Sequence, residues 1–273
     1  MFRDRGVEIK TPAQIETMRA AGLVVGETLA LLRASTRAGM TTAELDAIAA
    51  ENIRAAGARP SFLGYGHPPF PATICVSVND EIVHGIPGDR VIAEGDIVSI
   101  DCGAIVDGWH GDAAVTIAVG EVPDEALELM RVTEESMWRG IAAAALGGHV
   151  GDISHAVQSY VRSQGDFGIV EDYTGHGIGS QMHQPPSVPN TGKAGRGSRL
   201  VQGLALAVEP MVTAGEPWTR TDPDGWTVRT EDGSLAAHFE HTFTLTSTGT
   251  WVLTALDGGE ARLAELGVPF GGR

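Results

Sequence analysis

An α+β fold is predicted by three features of the sequence. Two helical stretches precede the first strand-like segment, two more follow a central hairpin, and strands do not alternate one-for-one with helices. The repeated order of helix pair and sheet hints at a duplicated unit.

The hairpin is the element on which the rest depends. It occupies residues 94–117, EGDIVSIDCGAIVDGWHGDAAVTI, with apolar runs flanking Asp107 and Gly108. Both residues tolerate positive φ, which a two-residue hairpin turn requires. With that turn, Val106 faces Trp109, Gly103 lies opposite Asp112, and Asp101 lies opposite Ala114. Strand side chains alternate, so Asp101 and Asp112 become diagonal neighbours on one face, about 7–8 Å apart at the backbone. An Asp pair alone also fits a turn residue and a solvated edge. Two carboxylates converging in an apolar hairpin need a compensating charge, for which a divalent metal is the simplest source.

The helices are legible from their caps and periodicity. Residues 11–33 begin with Thr11 as N-cap, Pro12 in the first turn and Gln14 completing a capping box. Ile15, Met18, Val25, Leu29 and Leu32 recur at core-facing spacing. The second helix opens at Thr41 with Glu44 as box partner and carries Leu45, Ile48 and Ile53. Residues 123–146 read as a long helix with Leu127, Met130, Met137 and Ile141 on one side; another starts at Asp152 as N-cap and stops near Gly165.

Between the helix pairs, a Pro/Gly-rich loop carries Phe62, Tyr65 and Phe70. A strand over 73–78, a turn at Asn79-Asp80 and a short strand then lead to His84. Taken singly, His84 reads as a structural histidine. Residues 168–186 turn from strand to a glycine-rich loop holding His176 and His183; with no following Lys and no strand–loop–helix context, it is not a phosphate loop. Residues 200–212 read as one buried strand, in which Glu209 must be paired, protonated or metal-bound. In HFEHTFTLT (238–246), Glu240 shares a face with Thr242 and Thr244. The lead segment 1–10 and the tail 257–273 read as peripheral to a single domain spanning 1–273.

Composition narrows the function. A net charge of −16 disfavours direct nucleic-acid binding, which needs clustered Lys and Arg. No apolar run reaches the roughly 18 residues of a membrane span, and MFRDRGVEIK lacks a signal-peptide core, so a cytoplasmic location is expected. Cys75 and Cys102, the two cysteines, argue against a disulfide scaffold or a cysteine zinc site. The sequence offers four carboxylates in strand-like, mostly apolar settings and one loop histidine: Asp101, Asp112, Glu209, Glu240 and His176. Four carboxylates match two divalent cations, and one imidazole among oxygens suits Mn, Fe, Co or Zn. Two such ions about 3.5–4 Å apart activate a shared water and polarise a carbonyl.

These motifs resemble those of bacterial type I methionine aminopeptidases, over about residues 10–253. The resemblance is carried by VNDEIVHGIP (78–87), DIVSIDCGAIVDGWHGDAAVTI (96–117), GHGIG with the later His183, VEPM (208–211), DGWTV (224–228) and EHT (240–242). It implies a pita-bread α+β fold, with two pseudo-symmetric halves whose helices back a curved antiparallel sheet. It also implies a dinuclear centre held by Asp101, Asp112, His176, Glu209 and Glu240. The same matching places His84 near the substrate amine and scissile nitrogen, His183 as donor to the carbonyl oxygen, and Glu209 as proton shuttle. Tyr65, Phe70, Cys75 and Trp226 would line the methionine pocket, with Phe62 and Met182 nearby; a thioether packs well against aromatic edges. The implied reaction is removal of the initiator methionine from nascent chains when the next residue is small. On that rule the Met1-Phe2 start of this chain predicts that Met1 is retained.

Spacing separates the subtypes. His176 and Glu209 are 33 residues apart and Glu209 and Glu240 are 31 apart, which leaves no room for the helical insertion of type II enzymes. The nearest rivals are an aminopeptidase P or prolidase, which carry a large extra N-terminal domain, and a non-catalytic binding protein of the same fold, which would lose metal ligands. A monomer is expected. Residues 216–234 set five acids against two arginines, so ribosome contact through that stretch is expected to be weak.

Overall fold

The computed structural model describes residues 6–273. Met1 and Phe2, on which the expected retention of Met1 turns, lie outside the described residues. The first helix pair forms where the caps place it. Helix α1 (Pro12–Ser35) and helix α2 (Thr42–Ala55) both carry complete capping boxes, Thr11 with Gln14 and Thr41 with Glu44. Their apolar stripes, including Val25, Leu29, Leu45 and Ile53, are buried against the sheet.

Strands β1 (Arg59–Pro60) and β2 (Ile74–Val78) pair with one edge of β4 (Ile97–Val106), after the short β3 (Glu81–Val83). Strand β4 then turns through Asp107, at φ 47°, and Gly108, at φ 83°, into β5 (Trp109–Ala118). The register is the one the two-residue turn dictates: Val106 with Trp109, Gly103 with Asp112 and Asp101 with Ala114.

The second half repeats the plan. Helices α3 (Asp124–Ala143) and α4 (Val150–Gln164) share a core with strands β6 (Gly168–Ile169), β8 (Gln184–Val188), β9 (Ala205–Val208) and β10 (Met211–Thr213), and β7 (Gly175–Gly177) pairs with β8 and β9. Strands β11 (Thr219–Thr221) and β12 (Val228–Thr230) form an outer hairpin. Strands β13 (Ala236–His238), β14 (Glu240–Leu245) and β15 (Thr250–Val252) precede helix α5 (Glu260–Glu265). Strand β14 joins the halves, pairing with β5 and β15 along one edge and with β9 along the other, and β9 continues to β7 and β8. One face of this sheet meets the helices. The other is concave and polar.

Thr242 secures the join. Its hydroxyl donates to the Asp112 carbonyl at 2.8 Å and accepts from the Asp112 N–H at 3.2 Å, extending the β5–β14 ladder by a side chain. Thr242→Val keeps the shape and strands both buried backbone groups. It is therefore expected to cost about 1–3 kcal/mol in denaturant unfolding.

Five sequence readings are corrected. Helix α3 stops at Ala143, and Leu127 is exposed, because the buried stripe runs through Ala126, Leu129, Val132, Met137 and Ile141. Leu127 lies one residue off that stripe, about 100° around the helix. Helix α4 begins earlier than read: His149 is the N-cap and Asp152 sits three residues on, accepting from the His149 N–H at 2.7 Å. Residues 200–212 are not one strand. Pro210 has no N–H for the ladder, so the chain leaves β9 at Glu209 and enters a second sheet through β10. The tail is not peripheral, since Leu263 is fully buried in the same core as α3 and Phe270 bridges to Thr250. Nor is the described part of the lead segment, where Lys10 is buried and its N–H bonds the Gly203 carbonyl.

Candidate metal centre and active site

The site is built row by row on the concave face. Residues directly opposite in a ladder share a face. Cys75, Asp101, Ala114 and Glu240 therefore form one row across β2, β4, β5 and β14. One step beyond the His241–Val208 pair, the β14–β9 register brings Glu209 beside Glu240. Asp112 projects from the neighbouring row. His176 reaches in from β7, its Nδ1 held against the Gly177 carbonyl at 3.0 Å. That contact leaves Nε2 facing the carboxylates, 3.3 Å from Glu209 and 4.0 Å from Glu240.

These side chains form three overlapping groups with ligand-like spacing: Asp101, Asp112 and Glu240; His176, Glu209 and Glu240; and Asp112, His176 and His183. Buried oxygens of Asp101, Asp112 and Glu240 have no hydrogen-bond partner. Ionised carboxylates only accept, so such oxygens need a cation. Burial pushes Asp101 up to about 7. Burial first, and then the neighbouring carboxylates, push Asp112, Glu209 and Glu240 well above the usual range. Burial, with His183 next to it, lowers His176 to about 3 and keeps its imidazole neutral, the form that ligates. The donor set fits divalent metal ions.

The cavity beside these groups is lined by every residue singled out for it in the sequence: Tyr65, Phe70, Cys75, His84, His183 and Trp226. Phe62 and Met182 complete its apolar wall, in one buried cluster with Phe70 and Cys75. His84 adopts the left-handed backbone at φ 61°. It packs edge-on against Tyr173 and Trp226. Burial, with His183 as the second cause, lowers it to about 4. His183 bonds Tyr65 through Nδ1 at 2.6 Å and packs edge-on against His176. If the phenol donates, the His183 proton sits on Nε2.

Two residues near the site escaped the sequence reading. His238 is 1% exposed, with Nε2 unpartnered and 3.9 Å from Glu209. Its position at the end of β13, one residue before the strand break, gave the signal only once that break was known. Thr242 was placed on the Glu240 face by alternation, but its grip on Asp112 needed the β5–β14 pairing.

Residues 16–247 match the profile of metallopeptidase family M24. The chain is 51% identical to the methionine aminopeptidase of Clostridium acetobutylicum, covering 90% of this chain and 98% of that one. It is 47% identical to methionine aminopeptidase 1 of Bacillus subtilis, over 90% and 98% respectively. The crystal structure of the methionine aminopeptidase from Thermotoga maritima superposes with a TM-score of 0.89 at 42% identity, covering 91% of this chain and 99% of that one. The prolidase from Pyrococcus furiosus shares the fold at a TM-score of 0.72 and 22% identity, with 90% of this chain covering 65% of that one.

Proposed function

The chain belongs to metallopeptidase family M24 and, within it, to the bacterial type I methionine aminopeptidases; from that premise we propose how its residues divide the work. It is a metal-dependent aminopeptidase that removes initiator methionine. The observation that carries the residue assignment is the convergence of four buried carboxylates and one neutral imidazole beside an apolar, aromatic cavity. Asp101, Asp112 and Glu240 would hold one divalent ion, and His176 and Glu209, with Glu240, a second. When bound, these ions supply Lewis acidity toward a water and the first peptide carbonyl.

The chain's own groups do the rest. Phe62, Phe70, Cys75, Met182 and Trp226 take the methionine side chain and keep bulk water from it. His183, oriented through Nδ1 by Tyr65, donates from Nε2 to the carbonyl oxygen as negative charge develops there. Glu209 takes a proton from the attacking water and passes it to the leaving nitrogen, beside which His84 stands. The reading includes a cytoplasmic monomer acting on nascent chains with weak ribosome contact. Among the described residues no helix is long and apolar enough to cross a membrane. In the β11–β12 hairpin, Arg220 pairs with Asp222, and Arg229 pairs with Asp80, Glu81 and Asp222, so acids face both arginines.

Proton-linked metal binding tests the centre. A carboxyl whose folded pKa is raised binds more protons folded than unfolded. Its stabilising contribution is whole below the unfolded value, near 4. It is lost as pH rises through the folded value, about 7 for Asp101, and burial raises Asp112, Glu209 and Glu240 in the same direction. The chelated protein is therefore expected to melt at lower temperature at about pH 8 than at about pH 5, with Mn removing that loss. Calorimetric titration should give about two ions per chain with net proton release. One ion per chain, or binding without proton release, would contradict the assignment.

A further inference from the structure

The segment ahead of α1 reaches across to the loop that carries His183. That loop, residues 178–183, connects β7 to β8 and also holds Met182. Glu8 accepts three hydrogen bonds from it and from the first residue of β8: the Ser180 N–H at 3.0 Å, the Ser180 hydroxyl at 2.7 Å and the Gln184 side-chain amide at 3.0 Å. Behind the carboxylate stands Lys10, 4% exposed. Its Nζ lies 3.6 Å from Glu8 Oε2 and donates to the Glu8 carbonyl at 3.1 Å. The Lys10 N–H is fixed to Gly203, so the segment is anchored to the second half of the fold before it reaches the loop.

The contact is close. A Cβ on Gly179 would stand 2.2 Å from Glu8 Oε2 and 2.4 Å from Lys10 Cε, so only glycine admits the carboxylate there. On its other side the same glycine accepts the His110 N–H at 2.9 Å, from strand β5. The loop is thus held between the hairpin that supplies Asp112 and an ion pair of half-buried Glu8 with buried Lys10, which supplies nothing to the cavity. Among the described residues the His183 side chain makes one hydrogen bond, to Tyr65, on a loop whose Leu63 and Tyr65 are exposed. Glu8 holds the loop at Ser180 and Gln184, on either side of His183.

We propose that Glu8 is a positioning residue for the aminopeptidase reaction, its carboxylate fixing the 178–184 loop so that His183 meets the substrate carbonyl. Orientation errors of about 1 Å in a donor cost on the order of a hundredfold in rate, so an ordered loop is worth a measurable part of kcat. The proposal rests on the role assigned to His183 above.

Hydrogen exchange and kinetics on Met-Ala-Ser, with the metal-loaded full chain, test it. Glu8→Ala is expected to speed exchange in peptides covering 178–184 by about tenfold while the rest of the chain keeps its protection. It should also lower kcat about tenfold, with KM within about twofold. Glu8→Gln keeps an acceptor oxygen for the Ser180 N–H and is expected to recover most of kcat. In a His183→Ala background, Glu8→Ala should lower kcat by less than about twofold, because the two residues act through one another. Exchange that rises uniformly along the chain, an unchanged kcat in Glu8→Ala, or additive losses in the double variant would overturn the proposal. A His183→Ala variant with wild-type kcat would instead remove the role given to His183, while the exchange measurement still decides whether Glu8 orders the loop.

Discussion

Glu209→Gln is expected to lower kcat for Met-Ala-Ser by about 10²–10⁴-fold, the range for loss of a positioned general acid–base group. The substitution nearly preserves volume, so the β9–β10 crossing and the aromatic pocket should persist and KM should stay within about threefold. The effect is large because Glu209 has two tasks. Its Oε1 lies 3.3 Å from His176 Nε2, within the second ligand group, and the same carboxyl is the proton carrier of the proposed reaction. An amide can neither carry the proton nor balance a cation. The variant should therefore bind metal more weakly, and saturating metal should not restore kcat. Recovery of wild-type kcat at high metal would reduce Glu209 to a ligand alone.

His183→Ala is expected to lower kcat about 10²–10³-fold, the usual loss on deleting one donor to a developing oxyanion. Binding of the methionine side chain is left to Phe62, Phe70, Cys75, Met182 and Trp226, so KM should again move by no more than about threefold. Tyr65→Phe removes the 2.6 Å contact to Nδ1 without removing the donor, and its loss should be much smaller. A risen KM with unchanged kcat in His183→Ala would assign the residue to ground-state binding. Loss of metal instead would make it a ligand, as the grouping of Asp112, His176 and His183 permits geometrically.

What could be read from the sequence divides along physical lines. The β4–β5 register was legible because a two-residue turn leaves no freedom in pairing, and alternation then fixes the face of Asp101 and Asp112. Helices α1 and α2 were legible from their capping boxes. The remaining ligands stand out singly by residue type and apolar setting, and only the family motifs group them, because which strand lies beside which is a long-range property. Only the β5–β14–β9 order puts Glu240 and Glu209 next to Asp101. Local signals failed where tertiary contact overrides them. His149 is an unusual N-cap, so Asp152 took its place in the reading. Pro210 breaks a run that hydrophobicity alone makes continuous. Leu263 and Phe270 sit in a glycine-containing tail that gains its order from α3 and β15. Glu8 lies in a lead segment that reads as peripheral, because its partners are 172 and 176 residues away and leave no local signal.

A divalent metal centre held by Asp101, Asp112, His176, Glu209 and Glu240 is expected to carry the cleavage after an N-terminal methionine. The most direct test strips the protein with a chelator and restores Mn, Co, Fe or Zn in turn, assaying Met-Ala-Ser and Ala-Pro-Ala side by side. Without metal neither peptide should be cleaved, and metal should restore release of methionine from the first alone. Release of alanine from Ala-Pro-Ala, or full activity in the stripped protein, would contradict that expectation.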